Sequence, residues 1–263
     1  MFDFHLHSSL SFDAKDNIEA FAKMARKKNI SEICFTEHIE PAHNYDIPWD
    51  GWIDLDAYKK EIARVQAIYS DIKIRVGLEL GLDVNKADEI AEYVEKTPLD
   101  FVIASQHLIE GEDPYYPEYF ENKTKYEAEK LYLETLLACL KAYHGKFNVV
   151  GHIGYVNHYA RKGNYKYTEY PDLLDEILKH TIACGAGIEI NTSGYNTNKE
   201  PMPTADVVAR FHELGGEIIT IGSDAHSIYN IGYHINDAIE ILKTLNIKYI
   251  CTFENMKAIF HKI

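Results

Sequence analysis

A chain of 263 residues, 46% of them hydrophobic, suits one large α/β domain with a sizeable core. Its 27 Lys and Arg stand against 41 Asp and Glu, a formal charge of −14. Such a body repels polyanions, so nucleic acid is excluded as an expected partner while a small anion held by local positive charge is not. No apolar run reaches the roughly 20 residues of a membrane span, and no basic-then-apolar leader precedes the first strand. No membrane partner is expected, and the expected location is cytoplasmic. Cys34, Cys139, Cys184 and Cys251 show no paired spacing and read as free, mostly buried thiols.

Taken in chain order, β-branched and aromatic runs alternate with 3.6-residue periodicity. Strand 2–5 precedes helix 16–28, where Ile18, Phe21, Ala22 and Ala25 share a face. Strand 31–36 precedes helix 54–70, strand 73–79 precedes helix 85–96, and strand 100–104 precedes helix 124–144. Strand 147–151 leads to helix 170–184, strand 186–190 to helix 204–214, and strand 217–222 to helix 234–245. A last run, Tyr249-Ile250-Cys251, is placed to close the structure. Gly145, Gly185 and Gly215 follow helices where a left-handed cap is wanted.

Strict alternation predicts parallel strands with right-handed crossovers, in either a closed barrel or an open doubly wound sheet. Helix-to-strand connections are short, whereas the strand-to-helix segments 38–53, 105–123, 152–169, 191–203 and 223–233 are long. Those segments hold both tryptophans and 11 of the 19 tyrosines. They predict an aromatic-walled pocket above the C-terminal strand ends.

Six of the 13 histidines stand at or just past those strand ends. His5 and His7, two apart on the first strand, face one way. Asp13 follows in the first loop; Asp16 is the better helix cap, which leaves Asp13 free for a metal. Glu37 and His38 face opposite ways at the second strand end, and His38 is the one assigned to the site. Glu79 closes the third run, His107 and His152 follow the fourth and fifth, and Asp224 and His226 repeat the two-residue spacing after the seventh. Neutral imidazoles and carboxylates delivered by different strands to one rim suit a cluster of divalent metals. His144, His180, His212, His234 and His261 are assigned to helices or their flanks.

These residues resemble the polymerase and histidinol phosphatase (PHP) superfamily, over essentially the whole chain, 1–263, as a single PHP-type phosphoesterase domain. The stretch Ile188-Glu189-Ile190-Asn191-Thr192-Ser193-Gly194, with Gly222-Ser223-Asp224-Ala225-His226, is similar to the histidinol-phosphate phosphatase branch. The resemblance implies a distorted, TIM-like seven-stranded (β/α) barrel with three divalent metals at the C-terminal ends of its strands. One metal would take His5, His7, Glu79 and Asp224. A second would share Glu79 and add His107 and His152, and a third would take Asp13, His38 and His226.

Zinc, iron and manganese all suit this donor set. Three dications against three carboxylates and one hydroxide leave a formal charge of about plus two, a cationic pocket in an acidic protein. The implied chemistry is in-line attack of a metal-bridging hydroxide on phosphorus, with Asp224 assisting proton transfer. Arg161 is the expected phosphate clamp. The branch places a basic residue soon after Asn191-Thr192-Ser193-Gly194; here Lys199 is the nearest cation. His43, Trp49, Trp52, Glu110, Glu112, Asp113, Tyr115 and Tyr116 are the loop groups available to a cationic ligand. The expected reaction is hydrolysis of L-histidinol phosphate, a step of histidine biosynthesis. The alternative is another small phosphoester, such as a nucleotide or sugar phosphate. The sequence fixes no oligomeric state.

Overall fold

The computed structural model describes residues 1–160 and 163–263. Seven parallel strands form one sheet in sequential order: β1 (Phe2–Leu6), β2 (Glu32–Ile39), β3 (Lys73–Gly81), β4 (Phe101–Ser105), β5 (Val149–Val150), β6 (Gly187–Asn191) and β7 (Ile219–Gly222). The connecting helices are α1 (Ile18–Lys27), α2 (Leu55–Ile68), α3 (Ala87–Glu95), α4 (Lys125–Ala142), a short α5 (Tyr155–Ala160), α6 (Pro171–Ala183), α7 (Ala205–Glu213) and α8 (Ile235–Thr244). A parallel bridge, Leu6↔Ala225, joins β1 to the chain leaving β7, with His7 N–H donating to the Ala225 carbonyl at 3.1 Å. The sheet therefore curls into a nearly closed (β/α)7 barrel rather than an open one.

Side-chain alternation divides the interior. Ile33, Phe35 and Ile39 of β2, Leu78 and Leu80 of β3, and Ile188 and Ile190 of β6 belong to the main apolar core shared with the helices. Toward the N-terminal ends, Phe4, Cys34, Phe101, Ile103 and Val149 form a second, smaller cluster. Cys251 and Phe253 complete that cluster. They come from an antiparallel hairpin, β8 (Tyr249–Glu254) and β9 (Lys257–Lys262).

This hairpin shows how the last run closes the structure. It does not close the barrel sheet; it covers the base, where Met256 N–H donates to the Asp100 carbonyl at 3.0 Å. Arg75 clamps it, bonding Glu32 at 2.7 Å and Glu254 at 3.1 Å. His261 consequently lies on β9 rather than beside a helix, within 2.7 Å of the Thr252 hydroxyl.

Two helix ends also differ from expectation. Asn17, not Asp16, caps α1 by accepting from Ala20 N–H at 2.8 Å, while Asp16 accepts from Ile228 N–H. Gly185 and Gly215 take left-handed conformations (φ 71° and 91°), but Gly145 does not, because α4 already ends at Ala142. Cys34, Cys139 and Cys251 are buried and Cys184 is exposed. Among the described residues no helix is long and apolar enough to cross a membrane.

Candidate metal centre

At the C-terminal end of the barrel the alternation that delivers apolar residues to the base delivers imidazoles and carboxylates instead. His5 from β1, His38 from β2 and Glu79 from β3 share the inward parity, and all are buried. His38 pairs with Glu79 in strand register, which sets its Nδ1 3.3 Å from a Glu79 oxygen. The other Glu79 oxygen lies 2.8 Å from His152 Nε2 and 3.4 Å from His107 Nε2. His5 and His7 approach the Glu79 carboxylate at 3.1 and 3.3 Å and Asp224 at 3.5 and 3.4 Å. Asp13 reaches His226 at 3.1 Å and His38 at 3.5 Å. The nine residues singled out in the sequence thus converge on one place.

The last pair arrives by a route that extended geometry did not predict. β7 stops at Gly222 and Asp224 takes a left-handed conformation, φ 54°, which Asp tolerates better than most residues. Ala225 then pairs with Leu6, and His226 turns back so that its Nδ1 meets the Asp224 carbonyl at 3.0 Å.

Burial opposes charge here, and mutual pairing overcomes it. Burial alone would raise Glu79 and Asp224, but neighbouring imidazoles, His5 foremost, hold both well below the usual carboxylate range. Asp13 is held low in the same way, by His38 and His226 against its own burial. Conversely, burial would depress His5 and His107. Glu189 and Glu79 hold the former well above the ordinary imidazole range, and Glu40 and Glu79 do so for the latter. His226, against its burial, is raised to about 9 by Asp13 and Asp224.

The donors fit divalent metals. Ligands about 2.1 Å from one tetrahedral ion stand roughly 3.4 Å apart. His5 and His7 present Nε2 atoms 3.0 Å apart, and His107 and His152 present theirs at 3.3 Å. His38 Nδ1 is buried and without a hydrogen-bond partner, facing Glu79. Donor atoms within 4.8 Å of one another gather as His5-His7-Asp224, Glu79-His107-His152, His7-His38-His226 and His38-Glu40-His107.

Four acids passed over in the sequence support this rim. Glu189 bonds His5 Nδ1 at 2.5 Å, and Glu40 bonds His107 Nδ1. Glu37, facing away from His38 as expected, is nonetheless buried and accepts from the Ser8 and Ser11 hydroxyls, both at 2.6 Å. Asp3 accepts from Ser223 and Gly232, and burial raises its carboxyl to about 6. Asp3 and Glu37 lie inside strands that carry a ligand and Glu40 stands two residues past His38, whereas β6 carries no ligand to point to Glu189.

Above the rim lies a cavity of about 420 Å³. Asp13, His38, Glu79, His107, His152, Asp224 and His226 line it together with Phe12, Glu40, Tyr45, Asp113, Tyr115, Tyr116 and Tyr155. Asp113 accepts from Tyr45 OH at 2.8 Å, from Tyr155 OH at 3.2 Å and from its own loop at Tyr115 N–H. Of the expected substrate contacts, Arg161 falls outside the described residues. Lys199 is exposed and does not line the cavity. His43 does not line it either: its ring stacks on Trp49 and its two nitrogens bond Trp49 O and Tyr45 N. It buttresses Tyr45 from behind. Trp52 packs against Tyr93, away from the cavity.

Comparison with known proteins agrees with this geometry. The PHP domain family model matches residues 3–193. A probable histidinol-phosphatase of Clostridium acetobutylicum is 34% identical over 250 residues, covering 94% of this chain and 95% of that protein. The histidinol-phosphatase of Lactococcus lactis is 35% identical over 266 residues, covering 97% of this chain and 95% of that one. The crystal structure of the L. lactis histidinol phosphate phosphatase, in complex with zinc, L-histidinol and phosphate, superposes with a TM-score of 0.85 at 32% identity and 98% coverage of both chains. A distorted seven-stranded barrel, a rim of imidazoles and carboxylates, and full-length kinship converge: the chain belongs to the PHP superfamily, in its histidinol-phosphate phosphatase branch.

Proposed function

We propose that this protein is a metal-dependent phosphomonoesterase that hydrolyses L-histidinol phosphate to L-histidinol and phosphate, with residues 1–263 acting as one domain. The observation that carries this reading is the convergence of nine donor side chains, seven of them lining an aromatic-walled cavity and His5 and His7 buried beside them. It occurs in a chain that aligns almost end to end with histidinol-phosphatases.

We assign three divalent ions, one to His5, His7, Glu79 and Asp224, one to Glu79, His107 and His152, and one to Asp13, His38 and His226. The donor clusters favour the first two sets directly. In the third, His38 and His226 cluster with His7, and Asp13 stands beside them at 3.1–3.5 Å. Zinc, the metal named in the L. lactis complex, is our first choice over iron and manganese. When bound, such ions lower the pKa of a water to about 7 and offset the charge of the phosphoryl oxygens.

The chain's own residues do the rest. Asp224 points one oxygen among His5, His7 and His226 at 3.4–3.6 Å, while Asn191 Nδ2 holds the other at 3.2 Å. We assign it the transfer of the proton from attacking water toward the leaving alkoxide. Asp113, a carboxylate set among tyrosines, supplies the counter-charge for the ammonium group of the substrate, with Tyr115 and Tyr116 walling its imidazole. Arg161 remains our phosphate clamp. Lys199 and His43 would touch substrate only if their loops moved inward.

The test is a panel of phosphoesters assayed with metal-replete protein. Histidinol phosphate should exceed nucleoside and sugar phosphates in kcat/KM by at least about 10²-fold, the scale of one well-placed charge-assisted contact. Equal rates across the panel would replace this reading with a general small-phosphoester hydrolase.

A further inference from the structure

We infer that Glu189 and Glu40, neither among the nine assigned ligands, are positioning residues that fix the tautomer and ring plane of His5 and His107. The inference rests on reading the rim as a metal centre. A neutral imidazole carries one N–H and one lone pair, and whichever nitrogen donates a hydrogen bond leaves the other free for a metal. His5 gives Nδ1 to Glu189 and turns Nε2 toward Glu79 and Asp224. His107 gives Nδ1 to Glu40 and turns Nε2 toward Glu79. In both, Nδ1–H points outward and the Nε2 lone pair points in.

The carboxylates are themselves held. Glu189 Oε2 accepts from the backbone N–H of His152 at 3.0 Å and from Asn191 Nδ2 at 3.2 Å. The same amide reaches Asp224. One acid on β6 therefore holds the His5 ring from β1 and the His152 backbone after β5, and shares the Asn191 amide with Asp224 after β7.

The backbone is cleared for both acids. A Cβ on Gly222 would stand 2.5 Å from Glu189 Oε1 and 2.3 Å from His5 Cβ; one on Gly81 would overlap the Glu40 carboxylate. Two strands thus carry glycine at the place where a carboxylate must reach an imidazole.

Neighbouring histidines are held differently. His7 Nδ1 meets the Ser11 hydroxyl at 3.2 Å, and His226 Nδ1 meets a backbone carbonyl. A direct carboxylate partner on the outward nitrogen is given to His5 and His107.

The experiment uses the full chain and zinc. Zinc affinity is measured by chelator competition and stoichiometry by elemental analysis, for the parent and for Glu189→Ala, Glu189→Gln, Glu40→Ala and Glu40→Gln. Long-range ¹H–¹⁵N spectra of zinc-loaded, histidine-labelled protein report the tautomers. We expect the Ala variants to lose about 10–100-fold in affinity, the usual effect of removing such partners. The Gln variants, whose amide oxygen still accepts, should keep most of it. In each Gln variant one Nδ1–H resonance should move upfield while Nε2 stays metal-bound. Should the Ala variants not fold, the Gln spectra decide alone. Unchanged affinity in Glu189→Ala, or unmoved resonances in the Gln variants, would overturn the inference. So would loss of one zinc per chain in Glu40→Gln, which would make Glu40 a ligand. Absence of zinc binding by the parent itself would instead remove the metal-centre reading on which the inference rests.

Discussion

The two ends of the barrel interior are built by the same strands and are almost equally hidden from water, yet they are opposites. At the base, Phe4, Cys34, Phe101, Ile103 and Val149 meet Cys251 and Phe253 of the hairpin. At the rim, farther along the barrel, stand His5, His38, Glu79 and Glu189. Burial stabilises the base by removing apolar surface from water. It penalises the rim, where every ionisable group must find a partner or a metal. Burial alone therefore says nothing about function; a polar side chain at zero exposure does, because something must compensate it.

The division of labour can be broken from either side. The largest effect should come from the rim: Glu79→Ala removes the carboxylate that reaches all of His5, His7, His38, His107 and His152. It should lower kcat/KM by more than about 10³-fold and reduce zinc per chain. Steady-state kinetics with elemental analysis would check this, and near-normal turnover would contradict the centre's proposed composition. At the base, Phe253→Ala should cost about 3–5 kcal/mol of stability, as truncation of buried aromatics does. Its turnover at a temperature where it remains folded should stay within about twofold of the parent; denaturant unfolding and kinetics together report this. A base variant that lost activity in proportion to stability would show the two halves to be coupled.

A smaller effect sharpens the rim itself. Asp113→Asn should raise KM for histidinol phosphate about 10-fold or more, the scale of a hydrogen bond to a charged group. It should hardly alter kcat/KM for a phosphoester without a cationic group. Equal losses on both substrates would place Asp113 in general support of the loop. The smallest signal is a proton count. His5 and His107 are raised well above the ordinary range and His226 to about 9 in the metal-free protein. At pH 7 these imidazoles hold protons that a metal must displace. Zinc addition should thus release protons, and affinity should climb as pH rises toward 9. A pH-stat titration with no release would contradict the shifts.

Much of this was legible because parity is a local property. His5 and His7, or Cys34 and His38, declare their face by spacing alone, and long loops at one end declare where a site opens. Closeness across the barrel is not local. Nothing in Ile188-Glu189-Ile190 says that the acid meets His5, which lies 184 residues away, or that Gly222 leaves it room. The spacing of Asp224 and His226 did not reveal the turn between them, because its conformation is set by the Leu6 pairing. The last run was expected to close the structure, but spacing alone does not tell that its apolar residues seal an end instead of joining a sheet edge. Lys199 carried the right charge on a loop whose path the sequence does not fix.

The bridge between Leu6 and Ala225 has a consequence for how the barrel stays shut. It is the seam of the cylinder, and its flanking residues are His5 and His7 on one lip and Asp224 and His226 on the other. An ion held by both lips is a clasp as well as a reagent. On this reading, backbone hydrogen bonds close the seam and a bound metal tightens it at the point where the chemistry happens.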